Sequence, residues 1–291
     1  MPKIITLDEK IIPKIAAGEV VERPASVVKE LVENSLDAGA QNIEVQVEQG
    51  GLKRIRVVDD GEGMDQKDLL KCYLPHTTSK LTDLESLSRI NTLGFRGEAL
   101  SSISAVSTVV IKSKEEDTSS GNYVKIINGD LERINPVGMS KGTIVEVSNI
   151  FSDVPARKKF LKKPQTEYRH VLNTVTAFVL ANPDVGFKLS HNGKVIFDVK
   201  SHQDLKSRIK ILLGKDVFDN VFKFEKTNEH IKLKGYLSKP QISTYNSDLQ
   251  FVFVNKRAVQ DKNISSEIKK AYGNMVDQRS FPPFILDIQL P

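Results

Sequence analysis

The chain has 291 residues, 39% of them hydrophobic and 27% charged, a composition able to bury a sizeable core at a length that suggests two domains. A formal net charge of +5, from 42 Lys and Arg against 37 Asp and Glu, permits nucleic acid as a partner without requiring it. No apolar run reaches the roughly 18 residues of a membrane span. The single cysteine, Cys72, excludes an internal disulfide and a Cys-based zinc site. The start, Met1-Pro2-Lys3-Ile4-Ile5-Thr6, lacks the features of a secretory signal, and a reducing cytoplasm fits.

In chain order, residues 12–21 read as a short helix. Pro24 opens a stronger one, in the first turn where proline is welcome, running to about Ala38 with Gly39 at the left-handed cap position. Ile43, Val45 and Val47 alternate with polar residues, as in a strand. Gly50-Gly51 turns the chain into a second strand, residues 54–58, which ends at Asp59. Asp65 can cap a short helix reaching Cys72. A glycine loop, residues 93–97, precedes a helix of small and apolar residues at 98–106. Three strands follow, at 108–112, 123–128 and 143–147. Residues 151–170 hold six Lys and Arg (Arg157, Lys158, Lys159, Lys162, Lys163, Arg169) against Asp153 and Glu167, which is most of the chain's excess charge. A solvated helix face and turn accounts for that segment; a nucleic-acid surface is the alternative. A helix at 166–180 stops at Asn182-Pro183, and Asn192-Gly193 marks a hairpin between strands 187–190 and 194–198. A domain boundary falls near Lys200. Beyond it come a helix at 205–213, strands at 221–224, 231–237 and 250–254, a helix at 264–272 and a last strand at 284–288. The mixed pattern predicts α+β, with helices on one face of a sheet.

Three constellations carry chemistry. Glu30, Asn34 and Asp37 fall at i, i+4 and i+7 of one helix and share a face. Glu30 can accept a proton, and Asn34 offers a neutral oxygen to a hard cation such as Mg²⁺, which takes its other ligands from substrate phosphates. Taken alone, the same face is an ordinary solvated one. Asp59-Asp60-Gly61-Glu62-Gly63-Met64 ends a strand. Its glycines let backbone approach a ligand, and its carboxylate can accept from an amino group; a tight turn with caps is the plain alternative. Gly94-Phe95-Arg96-Gly97-Glu98-Ala99-Leu100 feeds a helix N-terminus, a ready anion site. His76-Thr77-Thr78-Ser79-Lys80 supplies hydroxyls and a cation for phosphate oxygens. Gly142-Thr143 opens a strand. The classical P-loop is absent.

In this order the pieces resemble the gyrase–chaperone–histidine kinase–MutL ATPase superfamily. The text from Ala16 to Ala40 (Ala16-Ala17-Gly18-Glu19-Val20-Val21-Glu22-Arg23-Pro24 onwards), Gly94 to Leu100 and Pro155-Ala156-Arg157-Lys158-Lys159-Phe160-Leu161 resemble MutL mismatch-repair proteins within it. The resemblance spans essentially the whole chain. It implies a two-layer α/β sandwich ATPase domain of the Bergerat type over residues 1–200, with an N-terminal arm at 1–15, then a smaller ribosomal-protein-S5-like α/β domain over 201–291. It implies ATP and Mg²⁺ as cofactors. Glu30 would be the general base and Asn34 the Mg²⁺ ligand. Asp59 would read the adenine amino group, with Gly63 and Thr143 nearby. Thr78, Ser79, Lys80 and Gly94, Phe95, Arg96 and Gly97 would hold phosphates. The resemblance also implies slow ATP hydrolysis, ATP-dependent homodimerisation, and non-specific DNA binding through Arg157, Lys158, Lys159, Lys256 and Arg257. MutS, a downstream endonuclease or helicase, and a cytoplasmic, nucleoid-associated place if the source is bacterial complete what it implies.

The chain departs from the family at Asp60, where Asn is usual, and at Thr77, where Ala is frequent. The extra carboxylate is expected to weaken nucleotide binding. MutL proteins also carry a lysine in an H-P-x-K-x-E-V-R text near the end of their second domain. This chain stops at Ile288-Gln289-Leu290-Pro291, so that domain is expected to be truncated and intrinsic turnover low. A gyrase-type topoisomerase or a heat-shock chaperone would share the pocket with other connecting motifs. A DNA clamp that uses ATP only as a switch is the non-enzymatic alternative.

Overall fold

The structure is a computed structural model; it describes residues 12–80, 97–277 and 279–290. The chain divides into two compact units, Met1–Val175 with Val185–Asp198, and Thr176–Asp184 with Val199–Pro291.

The first unit begins with α1 (Ile12–Val20) and α2 (Pro24–Asp37). Pro24 sits in the first turn of α2. The Ala38 N–H bonds back to the Asn34 carbonyl at 2.9 Å and the Gly39 N–H to the Leu36 carbonyl at 3.0 Å, and Gly39 takes a φ of 71°, so the chain leaves the helix where a side chain would be strained. Strand β1 (Asn42–Glu48) turns through Gly50 and Gly51 into β2 (Arg54–Asp59). Next come α3 (Gln66–Leu69), α4 (Ala99–Ala105), β3 (Thr108–Lys114), β4 (Gly121–Ile127), β5 (Asp130–Val137) and β6 (Gly142–Ser148). Then follow α5 (Pro155–Phe160), α6 (Pro164–Ala181), β7 (Gly186–His191) and β8 (Lys194–Val199). The eight strands form one sheet in the order β5-β4-β3-β6-β2-β1-β7-β8. Pairing is antiparallel for β1 with β2, β2 with β6, β6 with β3, β3 with β4 and β4 with β5, and parallel between β1 and β7.

Alternation decides the buried face. Val45, Ile55, Val57, Val109, Ile111, Ile126, Val147 and Leu189 are all within 2% of full burial. Helix α2 packs on β1 and β2, and α4 on β3 and β4. Val27, Val28, Leu31 and Val32 of α2 face that sheet side with no more than 2% exposure, each contributing about 1.5–3 kcal/mol of apolar burial.

The second unit holds α7 (Leu205–Leu213), α8 (Lys215–Asp219), β9 (Val221–Thr227), β10 (Lys232–Ser238), β11 (Gln250–Val254), β12 (Arg257–Val259), α9 (Lys262–Tyr272) and β13 (Phe284–Gln289). Its sheet runs β12-β11-β13-β10-β9, with β11 and β13 parallel. Phe251, Phe253 and Ile285 meet Ile209 and Val217 from α7 and α8 on one face. Val252, Phe284 and Leu286 meet Ile264 and Ile268 from α9 on the other. Arg208 is fully buried. Its guanidinium donates to the carbonyls of Gln203, Val179, Asn182, Pro183 and Lys200, which offsets the cost of burying this charge.

Four elements differ from expectation. Strand β5 was not foreseen because it is an edge strand whose first four residues are exposed, so no alternation marks it. Strand β12 is three residues long and α8 five, below what periodicity resolves. Asp65 does cap α3, accepting from Asp68 N–H at 2.7 Å, but the helix ends at Leu69 and the chain continues to Cys72 as turns.

Candidate functional site

Asp59 ends β2 beside α2 and β6. Ser35, on the inner side of α2, donates its hydroxyl to Asp59 Oδ2 at 2.7 Å. Oδ1 accepts from the N–H of Gly61 at 3.0 Å and of Thr143 at 3.3 Å. A carboxylate has about four acceptor positions, so one on Oδ2 is open to a ligand, and 9% of the residue remains exposed. Burial raises the Asp59 pKa, while the bonds from Ser35, Gly61 and Thr143 pull it back.

The loop after Asp59 is fixed by close approach. Gly63 has a φ of 81°, and a Cβ there would run into the Lys114 carbonyl at the end of β3. The following N–H, of Met64, donates to Ser113 Oγ at 2.8 Å. Asp60 turns the other way. Its Oδ1 accepts from Gln41 and Asn42 N–H at 2.7 and 2.8 Å, and its Oδ2 from Asn42 Nδ2 at 2.8 Å. Burial alone would raise the Asp60 pKa, but these bonds outweigh it and leave the carboxyl below its ordinary value. The extra carboxylate is thereby occupied in holding the entry to β1.

One residue along α2 from Ser35 lies Asn34. Lys80 Nζ donates to Asn34 Oδ1 at 2.9 Å and to Asp37 Oδ2 at 2.6 Å, which brings the Thr78-Ser79-Lys80 segment onto the polar face of α2. Thr78 Oγ1 accepts from Lys80 N–H at 3.1 Å, and Thr78 and Ser79 are exposed. Glu30, one turn before Asn34, has 20% of its side chain exposed and pairs with Lys29 at 3.0 Å. Thr77 fills its place by donating its hydroxyl to the carbonyls of Lys71 or Leu74, both at 2.8 Å. Gly97, with a φ of 63°, lies so close that a Cβ would strike the Thr77 carbonyl. The chain entering α4 therefore abuts the same segment. Gly94, Phe95 and Arg96 lie outside the described residues.

The donor set suits a cation delivered with phosphates. Glu30 and Asn34 offer hard oxygens, too few for an all-protein cage, and no group of three or more His, Cys, Asp and Glu able to hold a metal occurs among the described residues. Asp59, Gly63, Thr143, Asn34, Glu30 and Lys80 are thus brought to one region of the first unit. Ser113, marked by no motif, bonds to Met64 N–H and lies 2.8 Å from the Thr143 hydroxyl.

The basic residues fall in separate places. Lys158 and Lys159 are exposed on α5. Arg157 instead donates Nη2 to the Ile15 carbonyl at 3.4 Å, stands 5.9 Å over the Phe151 ring, and lies against Gly18 of α1, where any side chain would collide with it. Lys256 and Arg257 are exposed at the turn from β11 to β12.

A family model described as histidine kinase-, DNA gyrase B-, and HSP90-like ATPase matches residues 22–147. A second, described as the DNA mismatch repair protein C-terminal domain, matches residues 209–291. A solved Aquifex aeolicus MutL ATPase domain complexed with ADP superposes with a TM-score of 0.73 at 32% identity, covering 94% of this chain and 93% of that one. The chain belongs to the MutL family. Its MutL relatives include the DNA mismatch repair proteins MutL of Clostridium botulinum (strain Eklund 17B / Type B) and Clostridium beijerinckii, each 42% identical over 290 residues. The match takes in all of this chain and 43% and 44% of those proteins, so the chain spans under half the length of the MutL relatives it matches. Among the described residues no helix is long and apolar enough to cross a membrane.

Proposed function

We propose that this chain binds ATP with Mg²⁺, hydrolyses it slowly, and serves as the ATP-dependent switch of DNA mismatch repair. The observation that carries the reading is the Asp59 carboxylate, with one acceptor position open, bonded to Ser35, the helix neighbour of Asn34. The open position suits the adenine amino group. Asn34 and Lys80 then meet the phosphate end. Asn34 would hold Mg²⁺, which supplies charge neutralisation on the phosphates when bound. Lys80, now resting on Asn34 and Asp37, would turn to a phosphate oxygen as the cation takes its place. Thr78, Ser79 and the residue 94–97 loop would complete the anion cradle. Glu30 would orient the attacking water and accept its proton, a contribution on the order of 10²–10⁴-fold.

The ADP in the Aquifex aeolicus relative supports a nucleotide here. By the same family logic the chain spans residues 1–200 as ATP-binding domain and 201–291 as second domain, dimerises on ATP binding through its N-terminal arm, and cooperates in the cytoplasm with MutS and a downstream endonuclease or helicase. Non-specific DNA binding falls to Lys158, Lys159, Lys256 and Arg257 through phosphates, and is salt-dependent. Arg157 serves that surface by fixing α5, its guanidinium being used within the fold.

The test is equilibrium binding of a non-hydrolysable ATP analogue, with and without Mg²⁺, alongside sedimentation of the same samples. Saturable, Mg²⁺-strengthened binding with a shift from monomer to dimer is expected. Binding of GTP and ATP analogues with equal affinity, or none of either, would remove the reading.

A further inference from the structure

Asp37 is the last residue of α2, and the reading above gives it no role of its own. Carboxylates are disfavoured in the last turn of a helix, where the carbonyl ends already gather negative charge, and only 8% of the Asp37 side chain is exposed. Its Oδ2 accepts from Lys80 Nζ at 2.6 Å, and the same ammonium donates to Asn34 Oδ1 at 2.9 Å, three residues back on the helix. Lys80 comes from 43 residues away and keeps 20% of its side chain exposed. Thr78 steadies the approach, its hydroxyl oxygen accepting from the Lys80 N–H at 3.1 Å. Two oxygens of α2 thus converge on one positive charge, and the Asn34 oxygen is the one offered to Mg²⁺ above. An ammonium and a hard cation seek the same oxygen acceptors, so Lys80 Nζ stands in the seat of the cation.

We infer that Asp37 is a positioning residue that holds Lys80 in this seat until phosphates draw the ammonium away. The role rests on the nucleotide reading above and adds regulation to it. A triphosphate that recruits Lys80 binds fully only to molecules in which Asp37 has let go, so its apparent affinity is lowered by the fraction of molecules in that state. A nucleoside without phosphates makes no claim on Lys80 and leaves it where it is. The hold also orders the ligands: the seat at Asn34 stays filled while the protein is empty, and it opens to the cation as the phosphates arrive. Simple repulsion between Asp37 and the phosphates would weaken binding too, but without passing through Lys80, and that difference can be measured.

The experiment is a double-substitution cycle read by equilibrium binding of a non-hydrolysable ATP analogue and of adenosine, both in EDTA so that no cation takes part. The four proteins are the unaltered chain, Asp37→Asn, Lys80→Met and the two changes combined. Asp37→Asn keeps the shape and removes the charge. It should tighten binding of the ATP analogue by about three- to tenfold, the difference between a charged and a neutral acceptor for Lys80, and leave adenosine within about twofold. With Lys80→Met already in place, Asp37→Asn should change analogue binding by less than about twofold, because the residue through which it acts is gone. Asp37→Ser carries the same expectation and serves if the asparagine variant does not fold. Equal tightening in both backgrounds would reduce Asp37 to a source of repulsion and overturn the inference. Unchanged or weaker analogue binding in the single variant overturns it as well, and either result leaves the site reading intact. An unaltered chain that binds neither ligand overturns the site reading itself, and the inference with it.

Discussion

At the proposed base end of the site, Asp59 is 9% exposed and two of its three hydrogen bonds come from backbone N–H groups on the strand-end loop and β6. At the proposed phosphate end, Asn34 and Asp37 are bound by one lysine side chain, and Glu30 by another. The first end is a product of strand register. Its bonds are made within the fold, which keeps the reorganisation cost of recognition low. The second is two ion pairs, Lys80 with Asp37 and Lys29 with Glu30, and a hydrogen bond from Lys80 to Asn34, which a bound cation and phosphates would compete with directly. On the proposed reading the first end would take the base and the second would be completed by cation and phosphates, so that only the second would report that the triphosphate has arrived.

The comparison breaks if the two ends fail to separate in substitution. Glu30→Ala should reduce single-turnover hydrolysis by about 10²–10⁴-fold while the affinity for the ATP analogue stays within a factor of about three; loss of both together would mean that the ends are one unit. Asp59→Asn should do the converse, weakening analogue binding by about 10- to 100-fold, since a bond to a charged acceptor is worth about 1.5–3 kcal/mol, with Mg²⁺ still strengthening what binding remains. Isothermal titration with and without Mg²⁺ reads this directly. Asn34→Ala should cost about tenfold in the presence of Mg²⁺ and almost nothing in its absence; an equal loss under both conditions would show that Asn34 positions Lys80 rather than a cation.

The smallest expected effect concerns the two neighbouring aspartates. Burial raises the Asp59 pKa. A carboxyl whose folded value is raised binds its proton more readily in the folded state, so its ionisation costs stability as pH rises through the window. Asp60 has the opposite sign. Its folded value is lowered by the bonds from Asn42 and Gln41 despite burial, so its stabilisation is present above about pH 4, the unfolded value, and is lost as pH falls through the lower folded one. Asp60→Asn should therefore flatten the acid limb of a Tm-against-pH curve by under about 1 kcal/mol, because the group is largely exposed. An unaltered acid limb would show that the Asp60 bonds carry no net energy.

Much of this was legible from the residues. The helical spacing of Glu30, Asn34 and Asp37 placed them on one face, and Asn192-Gly193 turns with positive φ at both residues, as its dipeptide requires. What escaped was of two kinds. Strand β5 lacks any buried alternation, so its pairing with β4 exists only because a neighbour is there to pair with. Contacts across long separations escaped as well: Lys80 reaches Asn34 over 46 residues, and Ser113 meets Thr143 over 30. A buried serine in an alternating strand has no signature until the fold shows what it faces. The residues at 60 and 157 teach a related point. A carboxylate beside a binding motif, and an arginine within a basic run, look functional in one dimension. In the structure the first bonds to the start of β1 and the second reaches α1.

The parallel partnership of β1 with β7 has a consequence for biosynthesis. Gln49 N–H donates to Asn192 Oδ1 across 143 residues, so the flank of β1 facing β7 stays bare until the polypeptide has been extruded past that hairpin. During synthesis β1 and β2 can pair within moments of leaving the ribosome, but their outer border waits with unpaired amides and carbonyls, a template for illicit association between nascent chains. A stalled or prematurely terminated product ending before Gly186 would keep that border open for good.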